Sequence, residues 1–394
     1  MRLGIYVDDV YRVVARPDGA EVSVDRAFLL FACEIGRRFE RLVLFGRTMR
    51  TSVPADYVLP REVELAALPH YSNLRRLSEV GRSLGGTVAG MWHGLSRVDC
   101  VWIFGPHPFA LVLAALAAVR RKRVVLGVRM DSVRYYGARL RSRRWLPALI
   151  PIVAIDAAYR LLARRLPTTV VGADLARRYG HGRPRVLTMI VSLVPAGDVL
   201  DEPPTRDWSH TIELVTVGRI EPEKNPRLLL EALHRLDAEQ PGRFRLTWAG
   251  RGDLEEEVRA TASELGLDER LELAGYVPFG PRLLELYRSA HVFVHVSVTE
   301  GVPQVLVEAL ASGTVVVATE VGGVADLLDG GRAGLVVAPG DVDALVTAIR
   351  RASDDERLRA SLVERGLAVA RTLTLEEQAA RVARFLAAPD DAVA

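Results

Sequence analysis

The sequence predicts an α/β protein made of two doubly wound, Rossmann-like domains facing each other across a cleft. Three observations carry this. The chain has 394 residues, and at roughly 100–200 residues per domain that length asks for two. Short β-branched runs alternate with longer helix-period segments along almost the whole chain, the pattern of parallel strands joined by crossover helices. The charge is also split. Residues 1–200 hold 31 Lys/Arg against 16 Asp/Glu, a net +15, while residues 201–394 hold 21 against 33, a net −12. The overall +3 therefore joins a basic half to an acidic one, as two domains with different partners would.

In the first half the strand-like runs are LGIYVD (3–8), RLVLFG (41–46), VDCVWIFG (98–105), RVVLGVR (123–129), TTVVGA (168–173) and RVLTMIV (185–191). The second half repeats the rhythm more sharply with IELVTVG (212–218), FRLTWAG (244–250), LELAGYV (271–277), VFVHVS (292–297), TVVVATE (314–320) and GLVVAP (334–339). Near-continuous apolarity is what strands covered on both sheet faces require. Between the halves, PAGDVLDEPPTRDWSH (195–210) is rich in Pro and Asp and lacks periodicity, which makes it the linker candidate. The expected domains are residues 1–200 and 201–372, followed by a terminal segment, 373–394, whose helix could pack back on the first domain. Ligands of such paired sheets bind at the carboxyl ends of the strands, in the cleft.

Composition narrows the class. Hydrophobic residues make up 49% and charged residues 26%, which excludes a disordered or fibrous chain. Two cysteines, Cys33 and Cys100, cannot build a disulfide framework. The amino terminus MRLGIYVDD runs straight into a strand and carries no secretory signal. The most apolar stretch, 145–163, is broken by Pro147, Pro151 and Asp156, so no transmembrane span is expected. A cytoplasmic location follows, with the inner face of the plasma membrane as a possible site of peripheral attachment. Only Lys122 and Lys224 are lysines among 52 basic residues. An Arg-favouring codon bias explains that, yet each lysine is thereby singled out.

Two stretches carry chemistry. In VGRIEPEKNPRLLLEAL (217–233) a strand ends at Gly218, a short loop holds Arg219 and Lys224, and a helix begins with Asn225 as its N-cap and Pro226 as its first residue. Two cations on a tight loop at a strand's carboxyl end suit a diphosphate; solvated loop charges are the plain alternative. In SVTEGVPQVLVEALASGTVVVATEVGG (297–323), Glu300 and Gly301 form a turn, Pro303 opens a helix, and Gln304 and Glu308 lie one turn apart. The helix is otherwise apolar, so Glu308 is expected to be buried and to need a partner, such as the hydroxyls of a ribose. Gly301 and the helix amino end together suit an anion.

The spacing of Glu300 and Glu308 in EGVPQVLVE, with GRIEPEKN and AGRGDLEEEV before it and ALASG and VGG after it, resembles the retaining glycosyltransferases of family four, which have the GT-B fold. The resemblance is dense over residues 212–340. It implies that Arg219 and Lys224 neutralise the donor diphosphate, that Glu308 holds the nucleotide ribose and that Glu300 binds hydroxyls of the donor sugar. It also implies that Gly301, Val302, Pro303 and Gln304 line the sugar and phosphates, that the loop at Tyr276 and Val277 meets the base, and that Gly218 and Arg251 belong to the same nucleotide-sugar site. The donor is expected to be a UDP-sugar in preference to a GDP-sugar, with no resident cofactor.

Elementary chemistry agrees. Cleaving a sugar–phosphate bond develops negative charge on the departing diphosphate, and fixed cations beside it lower the barrier. The eight histidines form no ligand-spaced cluster, so no metal is expected. The family's usual explanation of retention is front-face attack assisted by the leaving phosphate, in place of a carboxylate nucleophile.

The first half departs from the family pattern. The usual paired glycines after the first strand are reduced to Gly19 in RPDGAEV, and TMIVSLVPAGD (188–198) replaces the familiar Asn-Gly-Val-Asp. His107, in FGPHPFA, lies near a histidine of the catalytic region in some members and is taken as a catalytic candidate, although shifted. Arg129 and Asp131 face the cleft or pair with each other.

Residues 134–166 place Arg139, Arg141, Arg143, Arg144 and Trp145 before an apolar centre and Arg160, Arg164 and Arg165 after it. An anionic membrane surface would attract such a helix; a core helix with a basic rim, or a face for a phosphate-bearing acceptor, has the same pattern. The expected activity is transfer of a sugar to a carbohydrate or lipid-linked acceptor in envelope or exopolysaccharide assembly. Glycosylation of a soluble natural product and non-catalytic nucleotide-sugar binding are the alternatives. The basic half lacks an aromatic-interleaved recognition motif, so no nucleic-acid partner is expected.

Overall fold

One 15-residue strand organises the amino-terminal sheet. The computed structural model describes residues 1–388 apart from 18, 75, 140–148 and 181–184. Contacts divide the chain into two compact units, Met1–Val191 together with the chain from Gln378 onward, and Ser192–Glu377.

The strands of the first unit are β1 (Arg2–Arg16), β2 (Gly19–Val24), β3 (Arg41–Arg50), β4 (Tyr57–Val58), β5 (Glu64–Leu68), β6 (Cys100–Gly105), β7 (Arg123–Val128), β8 (Thr168–Val171) and β9 (Val186–Met189). A bulge between Tyr6 and Val10 divides the work of β1. Before it, Leu3–Tyr6 is the parallel neighbour of both β3 and β6. Beyond it, Arg12–Arg16 pairs antiparallel with β2, which in turn pairs with β4. The parallel sheet then continues from β6 through β7 and β8 to β9, with β5 on the far side of β3. All six predicted strands form. The added hairpin corrects the reading of Gly19, which opens β2 opposite Arg16 and is no remnant of a glycine-rich loop.

Helices α1 (Phe28–Gly36), α2 (Leu77–Leu95), α3 (Pro108–Val119), α4 (Ser132–Arg139), α5 (Leu149–Ala163) and α6 (Ala173–Gly180) complete this unit. In α3, Phe109, Ala110, Leu113 and Ala117 recur at helical spacing and are buried with Val101, Ile103 and Leu126 of the sheet.

The second unit holds β10 (Ile212–Val217), β11 (Phe244–Ala249), β12 (Leu271–Gly275), β13 (Val292–His295), β14 (Val315–Thr319) and β15 (Leu335–Val337), all six as predicted. They form one parallel sheet in the order β12-β11-β10-β13-β14-β15. Its helices are α7 (Pro226–Glu239), α8 (Glu255–Glu264), α9 (Pro281–Ser289), α10 (Gln304–Ala311), α11 (Val324–Leu327), α12 (Val342–Asp354), α13 (Glu356–Thr372) and α14 (Leu375–Ala387), the last running across the boundary at Gln378. The strand order reverses between β10 and β13, and the loops leaving these two strands emerge side by side. No helix of the described residues is long and apolar enough to cross a membrane.

Candidate functional site

The loops that follow β10, β11, β12 and β13 are bound into one platform. Gly218 donates its amide to Ala249, Ile220 to Arg251, and Gly250 to Gly275, all on backbone carbonyls at 2.8–3.0 Å. Glycine is required where these loops touch. A Cβ at Gly250 would stand 1.9 Å from the Gly218 carbonyl oxygen, and one at Gly252 would stand 2.2 Å from that of Ile220. The GRGD segment is thus explained by close backbone approach. The Val298 amide donates to the Glu223 carbonyl at 2.9 Å, and Gly323 donates to Gly301 at 2.8 Å.

Lys224 ends a single tight helical turn, Pro222–Lys224, and its Nζ hydrogen-bonds to Oε1 of Glu300. His295, at the end of β13, places Nε2 3.2 Å from the same oxygen. Burial by itself would push the Glu300 carboxyl up; the approach of His295 and the charge of Lys224 outweigh it and hold the group down at about 2. Glu300 is therefore a fixed anion at neutral pH. Both loop cations pair with carboxylates of the chain. Lys224 is mostly buried on Glu300, while Arg219 is half-exposed and reaches Glu223 at 3.1 Å and Glu221 at 3.5 Å. Asn225 does precede α7 as expected, but with φ 48° and no capping bond from its side chain, which corrects its reading as an N-cap donor.

Helix α10 begins at Gln304, one residue later than expected, with Pro303 in the preceding position and no side chain capping its amides. Glu308, one turn in, is 4% exposed, and the Tyr287 hydroxyl of α9 donates to its Oε2 at 2.9 Å. Burial pushes the Glu308 carboxyl up to about 7, against the pull of that hydrogen bond. The partner that the sequence leaves to a ribose is thus supplied, for one oxygen, by the chain itself. Gly301, Val302 and Gln304 are half-buried along the loop and Pro303 is buried. After β12, Tyr276 is exposed and Val277 buried, with Arg251 exposed beside Gly275. Gly218, at φ +150°, lies against the Lys224 side chain.

His107 belongs to the first unit. It follows β6, and its Nδ1 lies 3.3 Å from the Tyr6 hydroxyl while Nε2 lies 3.3 Å from Asp8 Oδ2. Asp8 also accepts from the Tyr71 hydroxyl at 2.7 Å and from Arg47 at 3.1 Å, and that guanidinium lies over the Tyr71 ring. Burial lowers the His107 pKa, against the opposing pull of Asp8. Arg129 and Asp131 do not pair with each other. Arg129 is half-buried with its guanidinium over the rings of Phe28 and Phe104, whereas Asp131 binds Arg178. Of the basic flank at 134–166, the Arg139 side chain and Arg141, Arg143, Arg144 and Trp145 lie outside the described residues. Arg160 binds the buried Asp156 at 3.0 Å.

Sequence reasoning misses His295, Tyr287 and the Asp8, Arg47 and Tyr71 cluster. A histidine inside the apolar run VFVHVS signals the first; nothing local signals the others, because their partners come from distant elements. Among the described residues, no three His, Cys, Asp or Glu side chains converge in a way that could hold a metal ion.

A cation, a carboxylate and a helix start thus lie together where the strand order of this parallel sheet reverses. Residues 208–369 match the model of the glycosyl transferases of group 1. O-antigen chain mannosyltransferase B of Escherichia coli is 35% identical over 161 residues, 41% of this chain and 42% of that one. The chain spans about half the length of several curated relatives it matches. HepE of Anabaena, solved with UDP and glucose, superposes with a TM-score of 0.69 at 17% identity, covering 97% of this chain and 99% of that one. WaaG, a glycosyltransferase involved in lipopolysaccharide biosynthesis, gives 0.72 at 16% identity, with 98% and 100% covered. At these identities the likeness establishes the fold, which is GT-B.

Proposed function

We propose that this protein is a retaining glycosyltransferase that moves a sugar from a nucleotide diphosphate sugar to a carbohydrate or lipid-linked acceptor, without a metal. The observation that carries the reading is the meeting of Lys224, Glu300 and the uncapped start of α10 at the strand reversal, inside the segment that matches the group 1 glycosyl transferases. Lys224, Arg219 and the α10 amides take the diphosphate. Glu300 accepts hydrogen bonds from donor-sugar hydroxyls, and the free oxygen of Glu308 accepts from the ribose. As the bond from the anomeric carbon to the phosphate oxygen breaks, the acceptor oxygen bonds that carbon on the same face and its proton passes to the departing phosphate.

A UDP-sugar donor is favoured, and HepE, solved with UDP and glucose, supports it. Envelope polysaccharide assembly is favoured by the O-antigen and lipopolysaccharide roles in the names of two similar proteins. The protein acts in the cytoplasm at the inner membrane face, where the exposed Ile150, Val153 and Leu161 of α5, with Arg164 and Arg165 after it, meet anionic lipid.

Mass spectrometry of nucleotide release across a panel of sugar nucleotides tests the activity and names the donor together. Glu300→Ala, Lys224→Ala and Glu308→Ala are each expected to lose turnover; undiminished turnover in all three overturns the site. Binding without turnover across varied acceptors would instead support a nucleotide-sugar binding protein. Failure to sediment with anionic liposomes at low salt would favour a soluble natural-product acceptor.

A further inference from the structure

Glu300 has a buried neighbour that the proposed reaction leaves unused. His295 is 2% exposed and sits 3.2 Å from the carboxylate oxygen that Lys224 also contacts, without the alignment of a full hydrogen bond. Its ring stacks on Phe293 with 20° between planes, and its carbonyl accepts from Thr319 at 3.4 Å. The imidazole is thus held by the strand core. A nitrogen lone pair facing a carboxylate would be repelled, so the proton belongs on Nε2. Burial disfavours the imidazolium despite the nearby anion, so the ring is neutral.

A neutral donor does what Lys224 cannot. When a diphosphate draws the ammonium away, an oxygen of Glu300 loses its strongest partner. We propose that His295 is a positioning residue for the donor sugar, its Nε2–H holding the Glu300 carboxylate in place for the sugar hydroxyls while Lys224 serves the diphosphate. This rests on the reading of Glu300 as a sugar ligand.

Calorimetric titration of the full-length protein with UDP and with UDP-glucose gives, as a ratio of affinities, the contribution of the sugar. Glu300→Gln tests the underlying reading: a ratio unchanged in that variant overturns the sugar-ligand role and the inference with it. With the ratio lowered there, His295→Phe is expected to bind UDP within about twofold of the wild type and to lose about tenfold in the ratio, the scale of one hydrogen bond to a charged group. His295→Gln, which keeps an N–H donor, is expected to recover part of that loss. A full ratio in His295→Phe overturns the inference alone. Nitrogen-15 spectra of the wild-type imidazole supply a readout free of folding defects: the neutral Nε2–H tautomer at neutral pH supports the proposal, and the Nδ1–H tautomer overturns it.

Discussion

Lys224 donates to Glu300 across 76 residues of sequence, and the two meet because β10 and β13 are parallel neighbours where the strand order reverses. Both side chains are mostly buried, with exposures of 19% and 16%. Any diphosphate entering this site competes with a carboxylate for the ammonium.

That competition has a sign. Lys224→Met is expected to weaken UDP binding by roughly 10- to 100-fold, the scale of a hydrogen bond to a charged group. Glu300→Gln is expected to tighten it, because the ammonium no longer leaves an anion. A double-mutant cycle checks the coupling: the gain from Glu300→Gln should vanish in the Lys224→Met background.

Glu308 titrates near 7 in the folded chain, raised by burial, whereas an unfolded glutamate titrates near 4.3. Between those values the native state holds the proton more tightly than the unfolded state, so the stability contribution falls as pH rises and levels off above 7. The stability difference between wild type and Glu308→Gln is expected to fall by about 3 kcal/mol from pH 4 to pH 8. Urea unfolding at both pH values measures it, and a pH-independent difference would contradict the buried carboxylate.

Tyr287→Phe removes the donor on Glu308 and leaves a buried oxygen unsatisfied. A loss of about 1–3 kcal/mol is expected, larger above pH 7 where the carboxylate is charged. Thermal unfolding at pH 5 and pH 8 distinguishes this from a simple packing defect, which would not depend on pH.

Gly250→Ala drives a methyl into the Gly218 carbonyl oxygen, 1.9 Å away. About 1–3 kcal/mol of destabilisation is expected, with loss of UDP binding as the Lys224 loop is displaced. Gly85, within α2, has open space around its Cα. Gly85→Ala should therefore raise stability by about 0.5–1 kcal/mol without touching binding, which controls for the substitution type.

The outward face of α5 exposes Ile150 and Leu161 at 68% and 57%. Ile150→Glu with Leu161→Glu is expected to abolish sedimentation with anionic liposomes and to leave nucleotide release from a soluble donor intact. Unchanged sedimentation would place membrane contact elsewhere.

Strands β13 and β14 are legible in the linear chain because each is an apolar run buried throughout, the signature of cover on both faces. Strands β2 and β4 are not, because they are short, only partly buried, and form only where β1 continues past its bulge. Burial of Glu308 can be read from the apolar residues around it. Its partner Tyr287 cannot, since that contact depends on how α9 packs against α10.

Residue order alone therefore establishes two α/β halves, the glycines and carboxylates of the candidate site, and the singular position of Lys224. Periodicity and residue chemistry act over one or two turns, and these features lie within that range. Which side chains meet is settled elsewhere. The order β10-β13 puts Lys224, His295 and Glu300 on one oxygen atom, and the fold of the first unit gathers His107 with Asp8, Tyr6, Arg47 and Tyr71. Such partnerships depend on strand adjacency and on desolvation, and both exist only once the sheets have formed.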